Sequence, residues 1–230
     1  MQSLKFLGNG SGFSKTHNNA FFETKDEFII IDCSMLNIHK LLELKPYEKE
    51  TFLFVTHMHD DHVSGIPLLC QYYFYVYKRK LNIIVPKNIY EDMKQELNIK
   101  GIDSNIYNLF DTKQLNKEWF LDCIATSHAP ELENKCFGYI FFIKDKKCVY
   151  TGDTNTLEPF KEYINTCEEL YIDVSASYGR VHLKYEDIKE DLLKISNEKE
   201  IYLMHIDDEI KMNQLIQNTK IKIVKSIKIK

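Results

Sequence analysis

Three histidines and two aspartates fall within six consecutive positions of the 230-residue chain, in the segment His57-Met58-His59-Asp60-Asp61-His62. The preceding apolar segment, residues 52–55, predicts a buried strand. Side chains alternate along an extended chain, so His57 and His59 point the same way and can hold one metal ion. If the chain then turns, Asp61 and His62 can face a second ion beside the first. Neutral imidazole and carboxylate are ligands of zinc and similar transition ions, and a catalytic site keeps one position open for water.

The pattern His-x-His-x-Asp-His at positions 57–62 resembles the signature of the metallo-β-lactamase superfamily of dinuclear metallohydrolases. The resemblance implies three later ligands, each of which follows a short apolar run, as a residue at the end of a core strand should. They are His128 in Ala-Thr-Ser-His-Ala-Pro, Asp153 in Tyr-Thr-Gly-Asp-Thr and His205 in Tyr-Leu-Met-His-Ile-Asp. The implied ligand sets are His57, His59 and His128 for one ion and Asp61, His62 and His205 for the other, with Asp153 between them.

The resemblance implies a pair of divalent metal ions as the cofactor, with zinc expected and manganese or iron as alternatives. The ions would bind a bridging water and lower its pKa from about 16 toward neutrality. They would also polarise a phosphoryl oxygen as the attack develops. Asp61 is expected to hold the nucleophile in place as well as to bind metal.

The N-terminal segment resembles the RNase Z branch of the superfamily, which handles phosphodiesters. Residues 6–12, Phe-Leu-Gly-Asn-Gly-Ser-Gly, and the following Lys-Thr-His-Asn at 15–18 carry this similarity. His17 stands where that branch usually has arginine, and Cys-Ser-Met-Leu replaces its Gly-Glu-Gly-Thr-Gln loop after Asp32. The sequence also has no long inserted arm of the kind with which RNase Z holds tRNA. These departures favour a smaller substrate than tRNA.

Asp173 and His182 form a further candidate pair. Asp-Val-Ser at 173–175 and Val-His-Leu at 181–183 resemble an RNase Z segment in which an acidic residue orients a histidine near the leaving group. A carboxylate bonded to one imidazole nitrogen fixes the tautomer, so His182 could protonate a departing ribose oxygen. The alternative interpretation is a surface histidine that caps the following helix.

Together these features predict an enzyme, a metal-dependent phosphodiesterase that hydrolyses a small or cyclic phosphodiester, such as a cyclic nucleotide, with a metal-bridging hydroxide. The alternatives are an RNase Z-like tRNA 3′ endonuclease, a thioester or lactone hydrolase, and a non-catalytic binding protein on the same fold. The formal charge of -4 and a pI near 6.1 give no bulk basic surface. Long nucleic acid is therefore disfavoured as a partner relative to a small phosphodiester.

Strands in groups with helices between them predict an α/β fold, in which two mixed β-sheets pack face to face between layers of helices. The αββα sandwich of the metallo-β-lactamase superfamily is the same arrangement. With 44% hydrophobic residues, the chain can build one sizeable core, so residues 1–230 are expected to form a single metallo-β-lactamase-like domain. The pattern at 98–117 is ambiguous and could form a loop over the active site.

The six cysteines are scattered without a Cys-x-x-Cys pair, which favours reduced thiols in a cytoplasmic protein. The N-terminus lacks a signal-peptide pattern, and no apolar run reaches the roughly eighteen residues that span a membrane. A helix is predicted from Ile66 to Tyr77, with Pro67 in its first turn. The aromatic run Tyr72–Tyr77 offers more apolar surface than one helix face needs, which predicts a homodimer.

Overall fold

The computed structural model describes residues 2–228 of the chain. Its strands are β1 (Lys5–Gly8), β2 (Asn19–Glu23), β3 (Glu27–Ile31), β4 (Glu50–Phe54), β5 (Leu81–Val85), β6 (Tyr107–Asp111), β7 (Phe120–Thr126), β8 (Cys136–Ile143), β9 (Lys146–Tyr150), β10 (Glu169–Ser175), β11 (Leu183–Lys184), β12 (Glu200–Met204) and β13 (Lys222–Ile223). Its α-helices are α1 (Ile38–Glu43), α2 (Asp60–Val63), α3 (Ile66–Gln71), α4 (Lys87–Ile99), α5 (Lys161–Thr166), α6 (Tyr185–Ile195) and α7 (Glu209–Leu215).

Within residues 2–228 the strands form two mixed sheets. The first has the order β1-β2-β3-β4-β5-β6, and the second has the order β13-β12-β10-β9-β8-β7 with β11 beside β10. In the first sheet β3 and β4 are parallel. In the second, β9, β10 and β12 are parallel, and β7 shares their direction because β8 is antiparallel to both β7 and β9. In the second sheet, the strands β7, β9 and β12 precede candidate ligands, and all three therefore end at the same edge of the sheet.

Successive side chains of β3 point to opposite faces of the first sheet, which separates a layer of helices from the layer between the sheets. Ile30 packs in the cluster that also contains residues of α1, α3 and α4, whereas Ile29 packs between the two sheets. The layer between the sheets is rich in aromatic rings, and the ring centroid of Phe54 lies 5.1 Å from that of Tyr139 and 5.4 Å from that of Phe141. Helices α5, α6 and α7 cover the outer face of the second sheet. The predicted αββα sandwich is confirmed.

Two segments differ in detail from the sequence-based expectations. Residues 98–117, whose pattern was ambiguous, contain β6, which pairs with β5 at the edge of the first sheet. Its strand signal is weak because Phe110 and its neighbours are only partly covered at the sheet edge. The predicted helix from 66 begins with Pro67 in its first turn, but it changes after α3 into a π-helical segment, Tyr72–Val76.

The cysteines are all free thiols, and Cys123 alone among them is half-buried rather than buried. Burial raises the pKa of the Cys123 thiol to about 12, so this side chain stays protonated at neutral pH. No helix in the described part of the chain is both long enough and apolar enough to cross a membrane.

Candidate metal centre

The histidine-rich segment leaves the end of β4 in an extended conformation and then turns into α2. His59 precedes α2 with extended backbone angles, φ −68° and ψ 148°. His57 and His59 therefore lie on one side of the extended chain, with His57 Nε2 and His59 Nδ1 3.0 Å apart. Asp61 and His62 lie in the single turn of α2. The sequence analysis expected a turn at this point, which would let Asp61 and His62 face a second ion.

The first group of candidate ligands consists of His57, His59, His128 and Asp153. Each side chain offers one donor atom, and these four atoms lie within 4.8 Å of one another. His128 comes from the loop after β7, and Asp153 from the loop after β9. Asp153 Oδ2 lies 3.8 Å from both His57 Nε2 and His128 Nε2. The fold thus brings together residues that are up to 96 positions apart in the sequence (153 − 57).

The second group consists of Asp61, His62, His205 and the same Asp153. Asp153 Oδ2 lies 3.4 Å from His62 Nε2 and 3.3 Å from His205 Nε2. Asp61 Oδ2 lies 3.3 Å from His62 Nε2 and 3.2 Å from His205 Nε2. His205 follows β12 with a left-handed backbone, φ 56°. Asp153 is the residue that the two groups share.

The chemistry of these donors fits divalent metal ions. His62 Nε2 and Asp153 Oδ1 are buried, and neither has a hydrogen-bond partner within residues 2–228. Burial lowers the pKa of His57 well below its ordinary value, so its imidazole is neutral. Burial raises the pKa of Asp153, but His205 and His62 outweigh it and hold the pKa well below the usual range. In the first group the neutral imidazole of His57 lies beside the ionised carboxylate of Asp153, which has an unused oxygen, and zinc and related ions take ligands of both kinds.

Asp32 holds the candidate ligand His62 through a hydrogen bond, a role that the sequence analysis did not predict. His62 Nδ1 donates a hydrogen bond to Asp32 Oδ2 at 2.7 Å. The backbone N–H of Thr56 donates to Asp32 Oδ1 at 2.8 Å, and its hydroxyl donates to Oδ2 at 2.9 Å. Asp32 is fully buried and follows β3. The sequence feature that could have indicated this role is the position of Asp32, an acidic residue at the end of a buried strand.

His128 is oriented by the backbone of the loop that follows β10. Its Nδ1 donates to the carbonyl oxygen of Val181 at 2.7 Å. Nε2, the atom nearer to Asp153, is therefore left as the free ligand atom.

Asp173 and His182 lie beside both ligand groups. His182 Nδ1 donates to Asp173 Oδ2 at 2.7 Å, and the ring of His182 has its centroid 4.8 Å from that of His128 and 4.9 Å from that of His205. Burial lowers the pKa of His182, but the Asp173 carboxylate outweighs it and the pKa is raised above 6.5. The residue before α6 is Lys184, so His182 does not cap that helix.

The glycine-rich loop after β1 closes one side of the centre. A Cβ atom on Gly12 would lie only 3.1 Å from Asp61 Oδ2, so the loop backbone passes directly against this candidate ligand. His17 Nε2 donates to the carbonyl oxygen of Gly12 at 3.1 Å, and His17 Nδ1 lies 2.6 Å from Ser34 Oγ. The histidine that stands in place of arginine thus holds the loop in position.

Comparisons with known proteins place the chain among metallo-β-lactamase fold proteins. The family model described as "Anti-Pycsar protein Apyc1" matches residues 2–229. The anti-Pycsar protein Apyc1 of a Paenibacillus species is 26% identical over 230 residues, which cover 90% of each chain. The metallo-β-lactamase fold protein YhfI from Bacillus subtilis superposes with a TM-score of 0.75 at 15% identity, over 96% of this chain and 94% of that one.

Ribonuclease Z of Streptococcus sanguinis is 31% identical over 169 residues, which cover 65% of this chain and 53% of the ribonuclease. The predicted resemblance to the metallo-β-lactamase superfamily, with its RNase Z-like and phosphodiesterase members, is confirmed by these matches. The fold and the relatives identify the chain as a hydrolase.

Proposed function

Because the chain belongs to the family of the anti-Pycsar protein Apyc1, we propose that it is a metal-dependent phosphodiesterase that hydrolyses a small or cyclic phosphodiester, such as a cyclic nucleotide. The observation that carries the proposal is the pair of ligand groups that share Asp153. His182 stands beside both groups. An anti-Pycsar role, which the relatives' names state for those proteins, is extended here to this chain.

Two divalent ions are proposed to bind, one to His57, His59, His128 and Asp153 and the other to Asp61, His62, His205 and Asp153. Ions held there would activate water as a nucleophile at neutral pH and polarise a phosphoryl oxygen. Metal analysis of protein never exposed to a chelator should find about two ions per chain, with zinc expected. A content near zero would contradict the dinuclear site.

The chain's own residues account for the rest of the reaction. Asp173 holds the Nδ1 proton of His182, which leaves Nε2 of His182 to donate a proton to the departing ribose oxygen. Asp61 lies where it contacts His62 and His205, and it would help to hold the attacking group as well as to bind metal. The Gly12 backbone borders the site on the Asp61 side.

The size and charge of the chain favour a small substrate. The match to ribonuclease Z covers 53% of that protein, whereas the matches to Apyc1 proteins cover 90% of each chain. The net charge of -4 offers little general attraction for a long polyanion. We therefore favour a cyclic nucleotide over precursor tRNA.

A substrate panel tests the proposed function. Purified protein is assayed with a set of cyclic nucleotides, a precursor tRNA, a thioester and a lactone, with and without a chelator. We expect chelator-sensitive hydrolysis of at least one cyclic nucleotide and a much lower kcat/KM on the thioester and the lactone. Cleavage of precursor tRNA alone, or of the carbonyl substrates alone, would overturn the proposal.

We also propose that the protein is a homodimer that pairs through the π-helical segment. Tyr75 and Val76 are both 59% exposed there, whereas Tyr73 is buried and donates to Thr51 Oγ1. Exposed neighbouring apolar side chains of this kind mark contact surfaces. Light scattering at micromolar concentration should give the mass of a dimer, and Tyr75→Glu should shift it toward the monomer. A monomeric mass for the unmodified chain would contradict the dimer.

A further inference from the structure

Phe13 is the most exposed large apolar side chain in the described part of the chain, with a relative exposure of 106%. A single exposed apolar residue on a surface is ordinary. The position of Phe13 is not ordinary, because it follows Gly12, whose backbone lies against Asp61. Phe13 thus stands at the rim of the candidate metal centre.

The backbone on both sides of Phe13 is held in place. Ser11 N–H donates to the carbonyl oxygen of Ile206 at 3.1 Å, and Ser14 Oγ donates to the same oxygen at 3.3 Å. Ile206 is the residue after the candidate ligand His205, and His17 fixes the Gly12 carbonyl from the other side. The loop therefore presents Phe13 from a fixed position between segments that carry Asp61 and His205.

No residue in the described range 2–228 packs on the aromatic face of Phe13. Among residues 2–228 it belongs to no aromatic pair and to none of the buried clusters. An exposed ring on a backbone that is held beside a site offers a flat apolar surface to a molecule that enters the site. The faces of nucleic-acid bases stack on such rings whatever their hydrogen-bonding pattern.

We propose that Phe13 is a stacking platform for the heterocyclic base of the substrate, an inference that rests on the proposed cyclic nucleotide phosphodiesterase activity. The phosphodiester would lie at the metal centre and the base would cover Phe13. Recognition by stacking does not read base edges, so purine and pyrimidine cyclic nucleotides would both benefit. Phe13 acts here on binding and takes no part in the chemical step.

The test compares a cyclic nucleotide with an analogue that keeps the ribose cyclic phosphate but lacks the base. Phe13→Ala should raise KM for the cyclic nucleotide about 5-fold to 100-fold and change kcat little, since base stacking carries that range of binding. KM for the analogue without a base should stay unchanged. Phe13→Trp should keep the affinity of the native chain, whereas Phe13→Leu, which is apolar without a flat ring, should resemble Phe13→Ala.

Phe142→Ala is the matched control, because Phe142 is also exposed, at 43%, but lies near the far end of β8 from the centre. It should leave KM unchanged for both substrates. Equal effects of Phe13→Ala on both substrates, or no effect on either, would overturn the stacking role while leaving the proposed function intact. Failure of the native chain to hydrolyse any cyclic nucleotide would overturn both.

Discussion

The Asp173 carboxylate connects His182 to His205. Its Oδ2 accepts a hydrogen bond from His182 Nδ1 at 2.7 Å, and its Oδ1 lies 3.4 Å from His205 Nδ1. The Thr154 N–H donates to the same Oδ2 at 2.9 Å and fixes the carboxylate from a third direction. One buried acid thus holds the proposed proton donor and lies beside a candidate metal ligand, so the two functions can be separated only by variants that keep Asp173.

His182→Ala keeps Asp173 and removes the proposed proton donor. Turnover of substrates with poor leaving groups, such as ribose hydroxyls, should fall about a hundredfold or more, within the range of general acids. Nitrophenyl phosphodiesters should be affected little, because nitrophenolate leaves without a proton. The measurement is kcat on both substrate classes. Equal losses on both would mean that His182 acts on binding or structure, and no loss on either would remove it from the reaction.

Asp32→Asn should weaken metal binding about 10-fold to 100-fold, because Asp32 accepts the Nδ1 proton of His62 and so orients its Nε2. Competition with a chromophoric chelator measures the affinity. Asp26→Asn, in the exposed turn before β3, is the control and should bind metal as the native chain does. Unchanged affinity in Asp32→Asn, with the fold intact by circular dichroism, would contradict the supporting role.

Asp153→Ala should lower kcat by about a hundredfold or more and change KM much less. Asp153 is the residue common to both ligand groups, so its loss would disturb the nucleophile more than the bound substrate. Steady-state kinetics on a cyclic nucleotide separates the two constants. An unchanged kcat would remove Asp153 from the centre.

Glu169→Gln should destabilise the fold in a pH-dependent way. Glu169 is buried and accepts hydrogen bonds from Ser3 N–H at 2.9 Å and from Tyr171 Oη and Lys146 Nζ at 2.6 Å each. Burial raises its pKa, but these donors outweigh it and the pKa is lowered from 4.5. A lowered pKa in the folded state means that the ionised group stabilises the fold above pH 4.5, and that this stabilisation is lost as the pH falls through the folded-state pKa.

Urea unfolding of the native chain and of Glu169→Gln measures this difference. The variant should be less stable by about 1 to 3 kcal/mol at pH 7, as expected for a hydrogen-bonded charged group. This difference in stability should narrow as the pH falls below 4.5 toward the lowered pKa of Glu169. Glu190→Gln, on the exposed side of α6, should show no such gap. If the difference in the free energy of unfolding stayed constant with pH, the charge of Glu169 would not contribute to stability.

The layered arrangement of sheets and helices, and four of the candidate ligands, could be read from short segments. Alternation in segments such as β3 predicts a face toward helices and a face toward the other sheet, because side-chain direction depends only on neighbours along the strand. The spacing of His57, His59, Asp61 and His62 likewise acts within one segment. The sequence did not predict the edge strand β6, because side chains on both of its faces are partly exposed and give no clear alternation.

The supporting contacts depend on which strands are neighbours, and the sequence does not state that. Asp32 reaches His62 because β3 pairs in parallel with β4, which places the ends of both strands together. Asp173 reaches His205 because β10 pairs with β12, with Asp173 opposite Met204. Local spacing thus identified His57, His59, Asp61 and His62 as candidate ligands, because side-chain direction depends on neighbours along the chain. Strand pairing over long sequence separations decided that Asp32 lies against His62 and that Asp173 lies beside His205.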